Sequence, residues 1–172
     1  MTKVLPKKYW DTSLFLCFLN PDENERRKIC EDNLEHAKNG EFIIFTSIWT
    51  MIEVIRPRKK TFPSSEKLTP LQISKIQKMF EWDWLKKIQV DERVSKKAVE
   101  LCRDFDMHPS DAIHGATAIL YETEAIQKWD RDFNKITHLI KVEEPIFLTK
   151  QLSLIEKPKE SLIGPHPEDF EP

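Results

Sequence analysis

The sequence predicts an α/β domain with a mostly parallel sheet covered by helices on both faces. Three observations carry that expectation. Short apolar runs near residues 4–11, 41–46, 85–90 and 125–130 alternate with segments of helical periodicity. The run Glu41-Phe42-Ile43-Ile44-Phe45-Thr46 is almost continuously apolar, as a strand buried on both faces requires. The first run stops at Asp11 and turns straight into a helix, which aims an acid into the crevice where open α/β sheets bind ligands.

Taken in order, residues 4–11 supply the first strand and Thr12 to Leu19 the first helix, closed by Asn20-Pro21. Asp22 suits the cap of a second helix from Glu23 to Lys38, with Ile29, Leu34 and Ala37 facing inward; Asn39-Gly40 stops it. After the strand at 41–46, Ser47 is expected to cap a third helix over Ile48 to Ile55. Residues 61–69 read as an exposed loop, followed by a helix from Pro70 to Trp82 with Leu71, Ile73, Ile76 and Phe80 on or near one face. Leu85 to Val90 is a third strand. Glu92 to Phe105 is a helix with Val94, Ala98, Leu101, Cys102 and Phe105 at helical spacing. Pro109 opens the next helix, which runs to Tyr121. A strand at Ala125 to Asp130, a short helix holding Phe133 and Ile136, and a last strand at Pro145 to Leu148 complete the domain, 1–148. Residues 149–172, with four prolines, read as an extended or disordered tail.

The totals fit this picture. A chain of 172 residues, 40% hydrophobic and 33% charged, suits one buried core with a wet surface. A net charge of −2 sets up no global basic field, so any nucleic acid would have to be held by local basic patches and metal. Cys17, Cys30 and Cys102 form neither a C-x-x-C pair nor a disulfide framework, which suits a reducing compartment. The lysines before residue 9 are followed by no apolar leader core, and no run is long enough to span a bilayer, so the expected location is the cytoplasm.

Four acids recur in similar settings. Asp11 and Asp130 follow strands, Asp111 sits in the first turn of a helix, and Glu53 lies in the helix after the second strand. In a doubly wound sheet these positions can converge on one edge. Carboxylates gathered in one pocket repel one another unless a cation neutralises them, and hard oxygen donors suit Mg2+ or Mn2+. The implied chemistry is metal-assisted phosphodiester hydrolysis.

Four segments in this order, Trp10-Asp11-Thr12-Ser13-Leu14-Phe15-Leu16, Ser47-Ile48-Trp49-Thr50-Met51-Ile52-Glu53, Ser110-Asp111-Ala112-Ile113-His114-Gly115-Ala116 and Trp129-Asp130-Arg131-Asp132-Phe133, resemble PIN-domain nucleases of the VapC-like toxin branch. The resemblance spans residues 5–148. It implies a three-layer αβα sandwich and Mg2+- or Mn2+-dependent cleavage of RNA. It also implies a small antitoxin partner and a homodimer. By motif position Asp11, Glu53, Asp111 and Asp130 carry over as the acidic quartet, with Asp132 as a fifth acid. Thr12 and Ser47 match hydroxyl positions that orient ligands or cap helices. The chain departs from the family at Lys128, where threonine or serine is frequent, in an insertion around 57–69, and in the tail.

Each feature also has an ordinary reading. Asp11 and Asp111 suit helix starts without any further role, Glu53 alone would be a solvated helix residue, and Asp130 and Asp132 flank Arg131 as a surface turn would. His114, one turn beyond Asp111, is placed to reach substrate or carry a proton, but a packed or surface histidine is the favoured expectation and it is left out of the metal set. Trp10, Trp49 and Trp129 are expected in the core, though such rings also stack on bases. Arg56, Arg58, Lys59 and Lys60 form the densest basic cluster, suited equally to a phosphate backbone or to a solvated loop. Two rival classes remain. One is a PIN fold that grips RNA or a protein without turnover. The other is an α/β phosphate enzyme: a haloacid-dehalogenase-type phosphatase needs an aspartate where Ser13 stands, and a receiver-type phosphoacceptor needs adjacent acids after the first strand.

Overall fold

The computed structural model describes residues 4–19, 24–55, 69–129 and 132–149. Its elements run β1 (Lys7–Trp10), α1 (Thr12–Leu19), α2 (Asn24–Lys38), β2 (Ile43–Ser47), α3 (Trp49–Glu53), α4 (Pro70–Met79), β3 (Leu85–Ile88), α5 (Glu92–Phe105), α6 (Pro109–Leu120), β4 (Ala125–Gln127), a 3-10 turn (Asp132–Ile136) and β5 (Val142–Glu143). The strands form one sheet in the order β3-β2-β1-β4-β5, and every pairing is parallel. The chain builds outward from β1 to β3, then returns to the other side of β1 with β4. That reversal opens a crevice beyond the carboxyl ends of β1 and β4, where ligands bind in open α/β sheets.

Alternation along β1 divides the interior. Tyr9 faces a core with Leu101, Ala112, Ala116, Ile126 and Phe133, under α5 and α6. Trp10 faces the opposite core with Leu14, Phe15, Leu34, Ile44 and Phe80, under α1, α2 and α4. Two helical layers on one sheet give the expected three-layer αβα sandwich. The register pairs Tyr9 with Ile126 and Trp10 with Gln127, so one step further Asp11 lies beside Lys128. Continuation of the ladder by Asp11 N–H to the Gln127 carbonyl, 3.1 Å, supports that placement.

The helices that set the site are well terminated. Asp91 caps α5 by accepting the Val94 N–H at 2.9 Å, and Asp106 closes it at φ 49°. Pro109 occupies the first turn of α6 and His108 caps it. Gly115 lets α6 approach its neighbours, because a Cβ there would meet Ile136 Cδ1 at 2.9 Å and Leu101 Cδ1 at 3.2 Å. Among the described residues no helix is long and apolar enough to cross a membrane. Cys17 and Cys30 are buried, Cys102 is half-buried, and none of the three is in a disulfide.

Some expectations need correction. Ser47 ends β2 instead of capping α3; the cap position is Ile48, which makes no side-chain cap bond, while Ser47 Oγ accepts the Trp49 N–H at 3.1 Å. Leu71 is 66% exposed, so the buried face of α4 rests on Ile76, Met79 and Phe80. Helix α4 ends three residues early, at Met79. The last strand is Val142–Glu143, not Pro145 to Leu148. The physical reason is that Ile126 N–H and Lys128 N–H spend their bonds on the Lys141 and Glu143 carbonyls. The following segment is clasped by α2 instead: Asn33 Nδ2 donates to the Ile146 carbonyl at 2.8 Å, Asp32 Oδ2 accepts the Leu148 N–H at 2.7 Å, and Thr149 Oγ1 donates to Asp32. Asp22 and, apart from Thr149, the tail at 149–172 lie outside the described residues.

Candidate active site

Asp11 ends β1 at the crevice and is 5% exposed. Its Oδ2 accepts the Ser13 N–H at 3.0 Å, which holds the carboxylate at the start of α1. Thr12, the next residue, donates its hydroxyl to Glu53 Oε2. Glu53 reaches in from the end of α3. A third element, α6, supplies His114, whose Nε2 lies 2.8 Å from Glu53 Oε2, 3.2 Å from Thr12 Oγ1 and 3.9 Å from Asp11 Oδ1. Asp111, one turn earlier on α6, is near enough for its charge to act on the same imidazole. Asp11 and Glu53 are thus brought to one buried ring, which stands on the same helix as Asp111.

Behind that ring lies a polar support. His114 Nδ1 lies 2.7 Å from Tyr9 OH, and Tyr9 OH accepts the Ser47 N–H at 2.9 Å. Ser47 therefore contributes its backbone to the site, while its hydroxyl serves the turn into α3. Lys128, 6% exposed, lies beside Asp11 on the neighbouring strand. Half-buried Trp129 donates its backbone N–H to Ser13 Oγ at 3.1 Å and carries the Arg26 guanidinium 5.0 Å over its ring. Asp130, Arg56, Arg58, Lys59 and Lys60 lie outside the described residues. Asp132 opens the 3-10 turn, and its side chain is likewise outside them.

The sequence favoured a packed or surface His114 outside the metal set, and it is packed, at 1% exposure. What the sequence did not reveal is that the packed ring is shared by Tyr9 and Glu53. The signal was present: His114 follows Asp111 by three residues and so shares its helix face, and Tyr9 precedes Asp11 by two on the same strand face.

The electrostatics follow from this geometry. Burial pushes the Glu53 carboxyl up, but the hydrogen bond and charge of His114, with the hydroxyls of Thr12 and Ser110, outweigh it and hold the group at about 2. For His114, burial works against the charged form, yet the Glu53 hydrogen bond and the charges of Asp11, Glu53 and Asp111 raise its pKa above the ordinary value. These shifts set a pH window for stability in metal-free protein. Glu53, depressed from an unfolded value of about 4.3, contributes stability that is full above that value and is lost as pH falls toward 2. His114 contributes stability that is full below about 6.5 and is lost as pH rises through its raised folded value. Urea denaturation should therefore show the wild-type advantage over Glu53→Gln to be largest near pH 5.5 and smaller at pH 3 and pH 9. An advantage that does not vary with pH would refute the pairing.

Carboxylate oxygens are the donors Mg2+ and Mn2+ prefer, so Asp11, Glu53 and Asp111 fit such an ion by chemistry. Among the described residues, no three His, Cys, Asp or Glu side chains are gathered closely enough to hold one. Two of the five expected acids, Asp130 and Asp132, do not have described side chains.

A family model for the PIN domain matches residues 8–139. No curated protein sequence matches the chain. Solved structures with a similar fold include a toxin-antitoxin complex from Klebsiella pneumoniae, at 19% identity and TM-score 0.55, covering 81% of this chain and 98% of that one. They also include VapC20 of Mycobacterium tuberculosis, a sarcin-ricin loop cleaving toxin, at 13% identity and TM-score 0.56, covering 74% and 92%. A third is VapBC2 from Rickettsia felis bound to a promoter DNA fragment, at 18% identity and TM-score 0.57, covering 81% and 99%. With its parallel sheet in the order β3-β2-β1-β4-β5 and the family match over residues 8–139, the chain belongs to the PIN-domain family, and its fold is VapC-like.

Proposed function

We propose that the chain is a metal-dependent endoribonuclease of the toxin type, with its nuclease domain in residues 1–148. One observation carries this reading: Asp11 and Glu53, from separate elements, lie 3.9 Å and 2.8 Å from the His114 ring at the crevice of a PIN fold, with Asp111 one turn earlier on the helix that carries His114. In this reading Asp11, Asp111 and Asp130 hold Mg2+ or Mn2+, with Asp132 as a fifth acid. Such an ion supplies an activated water and stabilises charge that builds on the phosphoryl oxygens. Glu53 either shares the ion or orients the water, and Thr12 fixes its carboxylate. Arg56, Arg58, Lys59 and Lys60, close after Glu53 in sequence, grip the RNA backbone.

RNA as substrate is supported by the family resemblance of the motifs and by the description of VapC20 as a toxin that cleaves the sarcin-ricin loop. The Klebsiella and Rickettsia complexes support a small antitoxin as partner. A homodimer, a cytoplasmic location and a separate role for the 149–172 tail belong to the same proposal.

Incubating purified protein with labelled total RNA tests the reading. Cleavage should appear with Mn2+ or Mg2+ and stop with EDTA. Folded protein that binds RNA but leaves it intact at ample metal would refute the enzyme and favour a binding module.

A further inference from the structure

The hydrogen-bond line behind the acids has a definite direction. Glu53 is a carboxylate and only accepts. Thr12 spends its hydroxyl proton on Glu53, so toward His114 it too can only accept. His114 Nε2 therefore faces acceptors alone and must carry a hydrogen, which it gives to Glu53 at 2.8 Å. On the other side of the ring, Nδ1 meets the hydroxyl of Tyr9 at 2.7 Å, and that hydroxyl is itself pinned by the Ser47 N–H. The neighbouring hydroxyls do not compete as donors, because Thr46 gives its proton to the Trp10 carbonyl at 2.9 Å and Thr117 gives its own to the Ile113 carbonyl at 2.7 Å. Tyr9, in the core under α5 and α6, and His114 are both buried, so water does not compete for the ring nitrogens.

We propose that His114, aimed by Tyr9, is a positioning residue for the reaction: it fixes the carboxylate of Glu53 through Nε2–H so that the acid from α3 keeps one orientation toward Asp11. The inference rests on the nuclease reading for its catalytic consequence, but the hydrogen-bond line itself stands on geometry alone. Without it Glu53, at the last turn of a five-residue helix, keeps only short hydroxyl contacts and can swing toward solvent. Partners that orient active-site ligands in this way are typically worth about 10- to 100-fold in affinity or activity when removed.

The test has two arms. In metal-free, nitrogen-labelled protein, NMR should show a slowly exchanging imidazole Nε2–H for His114, lost in Glu53→Ala. Absence of that signal in folded wild type would overturn the proposal whether or not the protein cuts RNA. In the kinetic arm, His114→Ala should lower kcat by about 10- to 100-fold with the RNA KM changed by less than about threefold. His114→Gln, which can still extend an N–H toward Glu53, should recover activity to within about threefold of wild type. Tyr9→Phe keeps the ring and should lower kcat less than His114→Ala. Should His114→Ala fail to fold, His114→Gln and Tyr9→Phe still decide. Equal kcat in wild type and folded His114→Ala, or equal losses in the Ala and Gln variants, would overturn the proposal. A wild type that cuts nothing while showing the protected Nε2–H would defeat the nuclease reading and leave the positioning of Glu53 standing.

Discussion

Asp11→Asn should give a folded protein, as stable as wild type to within about 0.5 kcal/mol, that has lost RNA cleavage by about 100-fold or more. The argument starts from the local role of Asp11. Its Oδ2 accepts the Ser13 N–H at 3.0 Å, so the ordinary reading of an acid at a helix start is correct as far as it goes. Asparagine caps helices about as well as aspartate and keeps an oxygen for that bond. What it removes is a negative charge at 5% exposure, 3.9 Å from the His114 ring and beside Lys128 in the strand register. A buried charge at the mouth of a crevice does electrostatic work that its isosteric amide cannot do. Circular dichroism with urea titration reads the first half of the prediction, and kcat/KM on labelled RNA reads the second. Cleavage within twofold of wild type would sink the assignment of Asp11 to the site.

What was legible in the sequence is what depends on local pattern. The strand that stops at Asp11, the apolar run of β2, the α5 helix bounded by Asp91 and Asp106, and the proline opening α6 all follow from periodicity and capping. They sufficed for the fold class. Errors fell where long-range partners decide. Pro145 to Leu148 reads as apolar and extended, yet the edge of β4 pairs with 142–143, and α2 claims the later residues through Asp32 and Asn33. Ser47 looks like a cap because serine usually is one before a helix; its N–H instead supports Tyr9, 38 positions earlier. His114 illustrates the same limit most sharply. One histidine on an apolar helix face is ordinary, and only the pairing of β1 against α6, over 105 positions, turns it into the group that Tyr9 and Glu53 share.

Trp10→Ala should cost about 3–5 kcal/mol of folding stability, the largest loss we expect from any single change on β1. Trp10 is wholly buried, meets Phe15 edge-on with ring centroids 5.5 Å apart, and faces the core opposite to the one behind the acids. Its indole N–H donates to Gln127 Oε1 at 2.9 Å, and Gln127 Nε2 passes the connection on to Glu143 at 3.1 Å. Truncation therefore opens a cavity and strands an amide oxygen that is itself buried. Trp10→Phe isolates the second effect: most of the ring volume stays while the oxygen loses its donor, for about 1–3 kcal/mol. For a domain of this size about 4 kcal/mol corresponds to a fall in Tm of roughly 8–16 °C. Calorimetry and urea denaturation read both variants, and a loss below about 1 kcal/mol for Trp10→Ala would contradict the packing described. The same pair separates two roles for a tryptophan placed next to an acid. A base-stacking ring would lose RNA binding on mutation and leave stability alone. A ring with no exposed surface must do the reverse, so Trp10→Phe assayed well below its Tm should cut RNA at close to the wild-type rate.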